Sequence, residues 1–174
     1  MDKHFSARIL AQQGLFVAGL AVCAWVAIPF GGISFTLQTF ALYLALFTLG
    51  GKRGSIVFGV YLLMGIIGLP VFSAFQGGFG VLLGPAGGYL WGMAIAGPIY
   101  WLFTRIGGKK ATLAAVVCAM VLCYLLGTLW FLYAYGGQSP WWVILLKCTV
   151  PYLLPDAVKI ALAYAVSRRL RQVI

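Results

Sequence analysis

Acid is what this sequence has least of. Its 174 residues contain no glutamate and two aspartates, Asp2 and Asp156, against twelve lysines and arginines. A single histidine stands at position 4. With just two acids paired-carboxylate catalysis is excluded, and a lone tail histidine excludes a histidine triad or metal cluster within the apolar body. No Gly-Lys-Ser/Thr follows any glycine-rich stretch, which excludes a phosphate-binding loop. Charged residues make up 8% of the chain, too few for the mixed-sign surface that a soluble domain of this size presents to water. Cys23, Cys118, Cys123 and Cys148 lie in apolar runs without CxxC spacing. They read as small hydrophobic residues, not as disulfides or metal ligands.

What fills the chain is hydrophobic, 63% of all residues, well above the roughly half that soluble domains carry. Bilayer, not water, is the main solvent. A hydrocarbon core takes about 20 apolar residues as helix, and six segments approach that length: Ile9 to Ile28, Phe35 to Leu49, Ile56 to Leu69, Tyr89 to Phe103, Ala111 to Tyr135 and Trp142 to Val166. The expectation is an all-α integral membrane protein, a single six-helix domain over residues 1–174. Lys3 and Arg8 before an apolar run also suit a signal peptide, but no small-residue cleavage site precedes a soluble segment, so this is read as the first span.

The basic residues set the orientation. Lys3 and Arg8, then Lys52 and Arg53, then Arg105, Lys109 and Lys110, then Arg168, Arg169 and Arg171 all fall on one side of a six-span arrangement. The positive-inside rule makes that side cytoplasmic, with both termini there. Clusters placed this way, without a stripe of stacking aromatics, argue against a nucleic-acid partner. Lys147 lies close to the aromatic boundary at Trp141 and Trp142 and can snorkel outward. Lys159, deeper in the same span, is harder to account for in that way.

Ala7, Ala11, Gly14, Ala18 and Ala21 recur at steps of four, three, four and three, which sets them on one helical face. Small side chains let membrane helices approach closely, so the stripe is expected to dock another transmembrane helix. Internal packing of the six-helix body is the alternative. Between the third and fourth spans, "GLPVFSAFQGGFGVLLGPAGGYL" combines six glycines after Gln76 with Phe75, Phe79 and Pro85, and is expected to form a compact outer lid. Thr36, Gln38 and Thr39 are polar groups at the edge of the second span, and Gln76 is another in the lid. Each suits either interfacial hydrogen bonding or a ligand contact.

Asp156 lies twelve residues before Arg168, about 18 Å of helix inside a core about 30 Å thick. A central Asp or Lys costs roughly 2.5–3.5 kcal/mol on insertion scales, so Asp156 and Lys159 must face protein, water or one another. Their i, i+3 spacing puts them on one face. Pro151 and Pro155 suggest that the last span breaks, with a half-helix starting at Pro155 and Asp156 in its first turn. A self-neutralising ion pair is one reading. The other is a polar anchor for a small ligand with an apolar body and a polar head, with aromatic walls for which Tyr89 and Tyr152 are candidates.

"FTLQT" after the first outer loop, "GLPVF" leading to "GVLLGPAGGYL", and "PDAVKIALA" in the last span together resemble the BioY family, the biotin-specific substrate-binding subunits of energy-coupling-factor (ECF) transporters. The resemblance runs in order over nearly the whole chain. It implies a six-helix subunit of the bacterial plasma membrane that captures biotin from outside, without a cofactor or enzymatic activity of its own. It also implies an EcfT-like coupling subunit and two EcfA-like ATPases as partners. The family's alanine-x-x-x-alanine docking motif falls on Gly14 and Ala18, its Asp and Lys ligands fall on Asp156 and Lys159, and Gln76 is the matching lid candidate. Where the family commonly reads Gly-Pro-Thr-Gly-Gly, this chain has Ala86 in place of threonine. The competing expectation is a carrier of biotin or a related vitamin that works without ATPases; a membrane enzyme is poorly supported by so bare a residue inventory.

Overall fold

A computed structural model describes residues 7–30, 33–135, 137 and 140–173; Lys3 of the first basic cluster lies outside them. Its order is α1 (Ala7–Trp25), a hairpin of β1 (Ala27–Phe30) and β2 (Ile33–Thr36), α2 (Gln38–Leu49), α3 (Gly51–Ile66), a 3-10 turn (Ser73–Phe75), α4 (Gly80–Leu83), α5 (Gly87–Ile106), α6 (Gly108–Tyr135), α7 (Trp141–Cys148) and α8 (Val150–Val173). Each of the six apolar segments is largely helical. Two helical stretches, Ala7–Trp25 and Lys110–Tyr135, are long and apolar enough to cross a membrane, and α2 is a shorter apolar helix.

The structure departs from the all-helical expectation at residues 27–36. Ala27 pairs with Thr36 and Phe30 with Ile33 in antiparallel register. Pro29 denies a helix one donor, and the Gly31-Gly32 dipeptide between two short β-branched and aromatic runs is a hairpin signal.

A second departure concerns the last span. It breaks at Thr149 (φ −124°, ψ −57°), six residues before Pro155. Pro151 occupies the first turn of α8, where a helix has no partner for the missing N–H anyway. Pro155 is inside α8 and forfeits one bond to the carbonyl four residues back. Asp156 is therefore in the second turn of α8, not at a helix start.

Packing sets up two ends. At one, Arg171 donates to the Phe47 carbonyl, the Phe47 ring meets Tyr100 and Tyr164 edge-on, and Gly51 lies so close to Trp101 that a Cβ would collide with its backbone. This gathers the C-terminal ends of α2, α5 and α8 with the start of α3, and most of the described basic residues with them. At the other end the loop between α3 and α5 is tied down: Trp130 Nε1 donates to the Gly84 carbonyl at 3.0 Å and Tyr135 to the Leu83 carbonyl at 2.6 Å. Trp25, the last residue of α1, donates to the Pro70 carbonyl at 2.7 Å and stacks on Phe75 with ring centres 4.8 Å apart. The core between the ends is filled by Leu20, Leu42, Leu46, Val57, Phe58, Tyr61, Phe72 and Leu82, each at most 1% exposed. Gly88 and Gly92 let α5 lie directly on Trp130 and Cys123 of α6, the small-residue contact that brings membrane helices together.

Candidate ligand-binding site

Six parts of the chain converge on one cavity: β2, α2, the loop after α3, α5, α6 and the α7–α8 segment. Leu42, Leu90, Met93, Ala96 and Met120 give it an apolar interior; Tyr43, Phe72, Tyr89, Tyr124 and Tyr152 give it aromatic walls. The hydroxyls of Ser34, Thr36, Thr39 and Ser73, the Gln38 amide and the Asp156–Lys159 pair complete the lining. The empty space of the cavity, out through its mouth, is about 910 Å³.

The charged pair is formed as its spacing suggests. Lys159 Nζ lies 2.7 Å from Asp156 Oδ1, with Lys159 6% and Asp156 8% exposed. The ammonium also donates to the Thr36 carbonyl at 2.6 Å and stands 3.7 Å from the centre of the Phe35 ring. A lysine has three donors, and charge over an aromatic face is favourable. The bond to Thr36 fastens β2 to α8, so the hairpin owes part of its position to a charge 123 residues away. The second carboxylate oxygen is also taken: Tyr124 donates to Asp156 Oδ2 at 2.6 Å. A buried ion pair is tolerable when its remaining lone pairs and protons find partners, and here each carboxylate oxygen has one donor while the ammonium has a second acceptor and an aromatic face.

The other sequence candidates divide. Gln38 is 5% exposed, lines the cavity, and donates through Nε2 to Tyr61 at 3.0 Å, which in turn donates to the Val71 carbonyl at 2.9 Å. Tyr89 lines it, and its hydroxyl donates to the Cys148 carbonyl at 3.0 Å, one of the carbonyls freed where α7 ends. Tyr152 lines it from α8 and stacks on Phe35, centres 6.2 Å apart. Gln76 is not brought there. It is exposed, and its backbone closes the turn through a bond from Phe72 N to its carbonyl at 2.9 Å. Ala74 and Phe75 both have positive φ, 54° and 59°, and this reversal leaves Phe72 and Ser73 as the turn's inward residues. Ala86 lines the cavity, offering a methyl where the resembled family commonly has a hydroxyl.

Sequence reading missed Tyr124, Phe35 and the Thr36 carbonyl. Tyr124 carried a usable signal, a phenol in the middle of a long apolar helix. A backbone carbonyl carries none.

On α1, Ala7, Ala11, Gly14 and Ala18 are exposed, and Ala21 is buried. No heavy atom from outside its own neighbourhood comes within 4 Å of where a Gly14 Cβ would stand. Four of the five small residues thus form an open strip, and the fifth packs internally. The four cysteines are unpaired.

A family model described as the BioY family matches residues 1–174. The chain is 34% identical over 170 residues to a protein of Thermotoga maritima named biotin transporter BioY, covering 95% of this chain and 96% of that one. It is 33% identical over 165 residues to a probable biotin transporter BioY of Pyrococcus horikoshii, covering 95% and 97%. Among solved structures, it is similar to the S-component for biotin from an ECF-type ABC transporter, with a TM-score of 0.87 at 24% identity over 99% of this chain and 95% of that one. It shares a fold with the S component of a bacterial ECF transporter at a TM-score of 0.60 and 18% identity, covering 95% and 96%.

Proposed function

The chain belongs to the BioY family, and from that membership we propose that it captures biotin as the substrate-binding subunit of an ECF transporter. The observation that carries the reading at this site is the Asp156–Lys159 pair, buried and hydrogen-bonded on the wall of an otherwise apolar, aromatic cavity. Biotin's ureido ring offers two donors and one acceptor, and its bicyclic body and acyl chain suit apolar walls. Asp156, Lys159, Gln38, Tyr89 and Tyr152 are the proposed ligand-contacting residues. The loop between α3 and α5, pinned by Trp25, is the proposed outer lid.

The rest of the reading follows from topology and from what the chain lacks. Six passes through a plasma membrane, with both termini cytoplasmic, put the Arg171–Phe47 end inside and the lid outside. The open strip Ala7–Ala11–Gly14–Ala18 is the proposed contact for an EcfT-like subunit, and two EcfA-like subunits supply ATP hydrolysis. Enzymatic activity is not expected. Purified chain in detergent should bind biotin stoichiometrically and resist competition by other vitamins; equal displacement by an unrelated vitamin would overturn the assignment. Uptake by vesicles containing this chain alone would favour a self-sufficient carrier instead.

A further inference from the structure

Tyr124 occupies an unusual place in this site. It lines the ligand cavity and also a second, apolar cleft between α6 and the α7–α8 segment, and Met120 is the other residue common to both. Its hydroxyl holds Asp156 Oδ2 at 2.6 Å. With Oδ1 taken by Lys159, and Lys159 itself engaged with Thr36 and Phe35, a donor on a ligand meets a carboxylate whose two oxygens are already bonded.

The cleft offers the phenol somewhere to go. Thr128, one helical turn beyond Tyr124 and so on the same face of α6, lines that cleft together with Thr149. Their hydroxyls are 2.8 Å apart and the Tyr89 hydroxyl lies 3.4 Å from Thr128 Oγ1, yet a threonine oxygen has two lone pairs and can accept from a further donor. A tyrosine hydroxyl that leaves Asp156 can thus find a new hydrogen-bond partner without entering lipid unsatisfied, which would be costly.

We propose that Tyr124 is a placeholder for the ligand: its hydroxyl satisfies Asp156 Oδ2 while the cavity is empty, and a ligand N–H displaces it toward Thr128 and Thr149. The inference rests on the biotin-binding reading. Tyr124 is then a positioning residue that keeps the empty site neutralised and ordered, and it weakens binding by the bond that must be exchanged. A purely structural tyrosine, or one that shares Asp156 with the ligand, would strengthen binding.

The two roles differ in sign, so Tyr124→Phe separates them. Removing the hydroxyl should lower the melting temperature of the ligand-free protein in detergent. It should tighten biotin binding, measured by calorimetry, by roughly ten- to a hundredfold, the equivalent of one hydrogen bond to a charged group. Unchanged or weaker binding by Tyr124→Phe, with wild type binding normally, overturns the placeholder and leaves the biotin reading intact. Wild type that binds no biotin overturns the biotin reading itself. Should the phenylalanine variant not survive extraction, Tyr124→Met makes the same deletion with a side chain that adapts to irregular space, and the same two signs are required of it.

Discussion

Replacing Lys159 by methionine keeps the apolar stem and deletes the ammonium. Three contacts go with it: the 2.7 Å contact to Asp156, the 2.6 Å bond to the Thr36 carbonyl and the charge over Phe35. Asp156, 8% exposed, keeps Tyr124 as its partner but loses its counter-charge. Breaking one side of a buried pair costs about 3–5 kcal/mol, which at about 2–4 °C per kcal/mol lowers the melting temperature by roughly 6–20 °C. The triple variant Asp156→Leu, Lys159→Met, Tyr124→Phe removes the whole charged cluster and the hydroxyl that served it. It leaves the Thr36 carbonyl as the orphaned group, about 1–3 kcal/mol, against about 1–4 kcal/mol gained when a buried pair gives way to packed apolar side chains. Its stability should return to within about 1–2 kcal/mol of wild type by those figures, while biotin binding stays abolished. Thermal unfolding in detergent, followed alongside a biotin titration, reads both quantities. A triple variant as unstable as Lys159→Met would show that the pair is retained for folding, and the case for a recognition role would weaken accordingly.

Trp25→Ala removes the hydrogen bond to Pro70 and the stack on Phe75 that pin the outer loop; biotin dissociation, followed by exchange of labelled ligand, should accelerate about tenfold for contacts worth about 1.4 kcal/mol, and an unchanged off-rate would show that this loop does not gate the cavity. Ala18→Leu fills the open strip on α1 without approaching the cavity, so biotin affinity should be unchanged while co-purification with the coupling subunit and uptake into cells are lost. Gly88→Ala would drive a Cβ into Trp130 and the Leu126 carbonyl; overpacking at this helix contact should cost about 1–3 kcal/mol, read as a lower melting temperature.

The parts of the site that were legible in the sequence are those whose cost is intrinsic. Asp156 and Lys159 could not sit in hydrocarbon without partners, and their spacing predicted that they would meet. The open strip on α1 was legible for a similar reason, since helical periodicity fixes a face whatever surrounds it. The hairpin was legible only in the Gly31-Gly32 dipeptide, because the apolar runs of four residues on either side suit helix or strand equally until a pairing partner decides. The position of the break in the last span depended on which of two prolines falls in a first turn, and that is settled by where α7 stops. Tyr124 is one of nine tyrosines; its partner is 32 residues away on another helix. Gln76 failed to reach the cavity through backbone geometry alone, two consecutive left-handed residues that no composition signal announces.

The central claim is that the Asp156–Lys159 pair recognises biotin, and equilibrium binding of radiolabelled biotin to wild type, Asp156→Asn and Lys159→Ala in parallel tests it most directly. The expected result is one saturable site per wild-type chain and a loss of at least a hundredfold in affinity in each variant, the equivalent of about 2.7 kcal/mol. Variants that fold and bind biotin as tightly as wild type would contradict it.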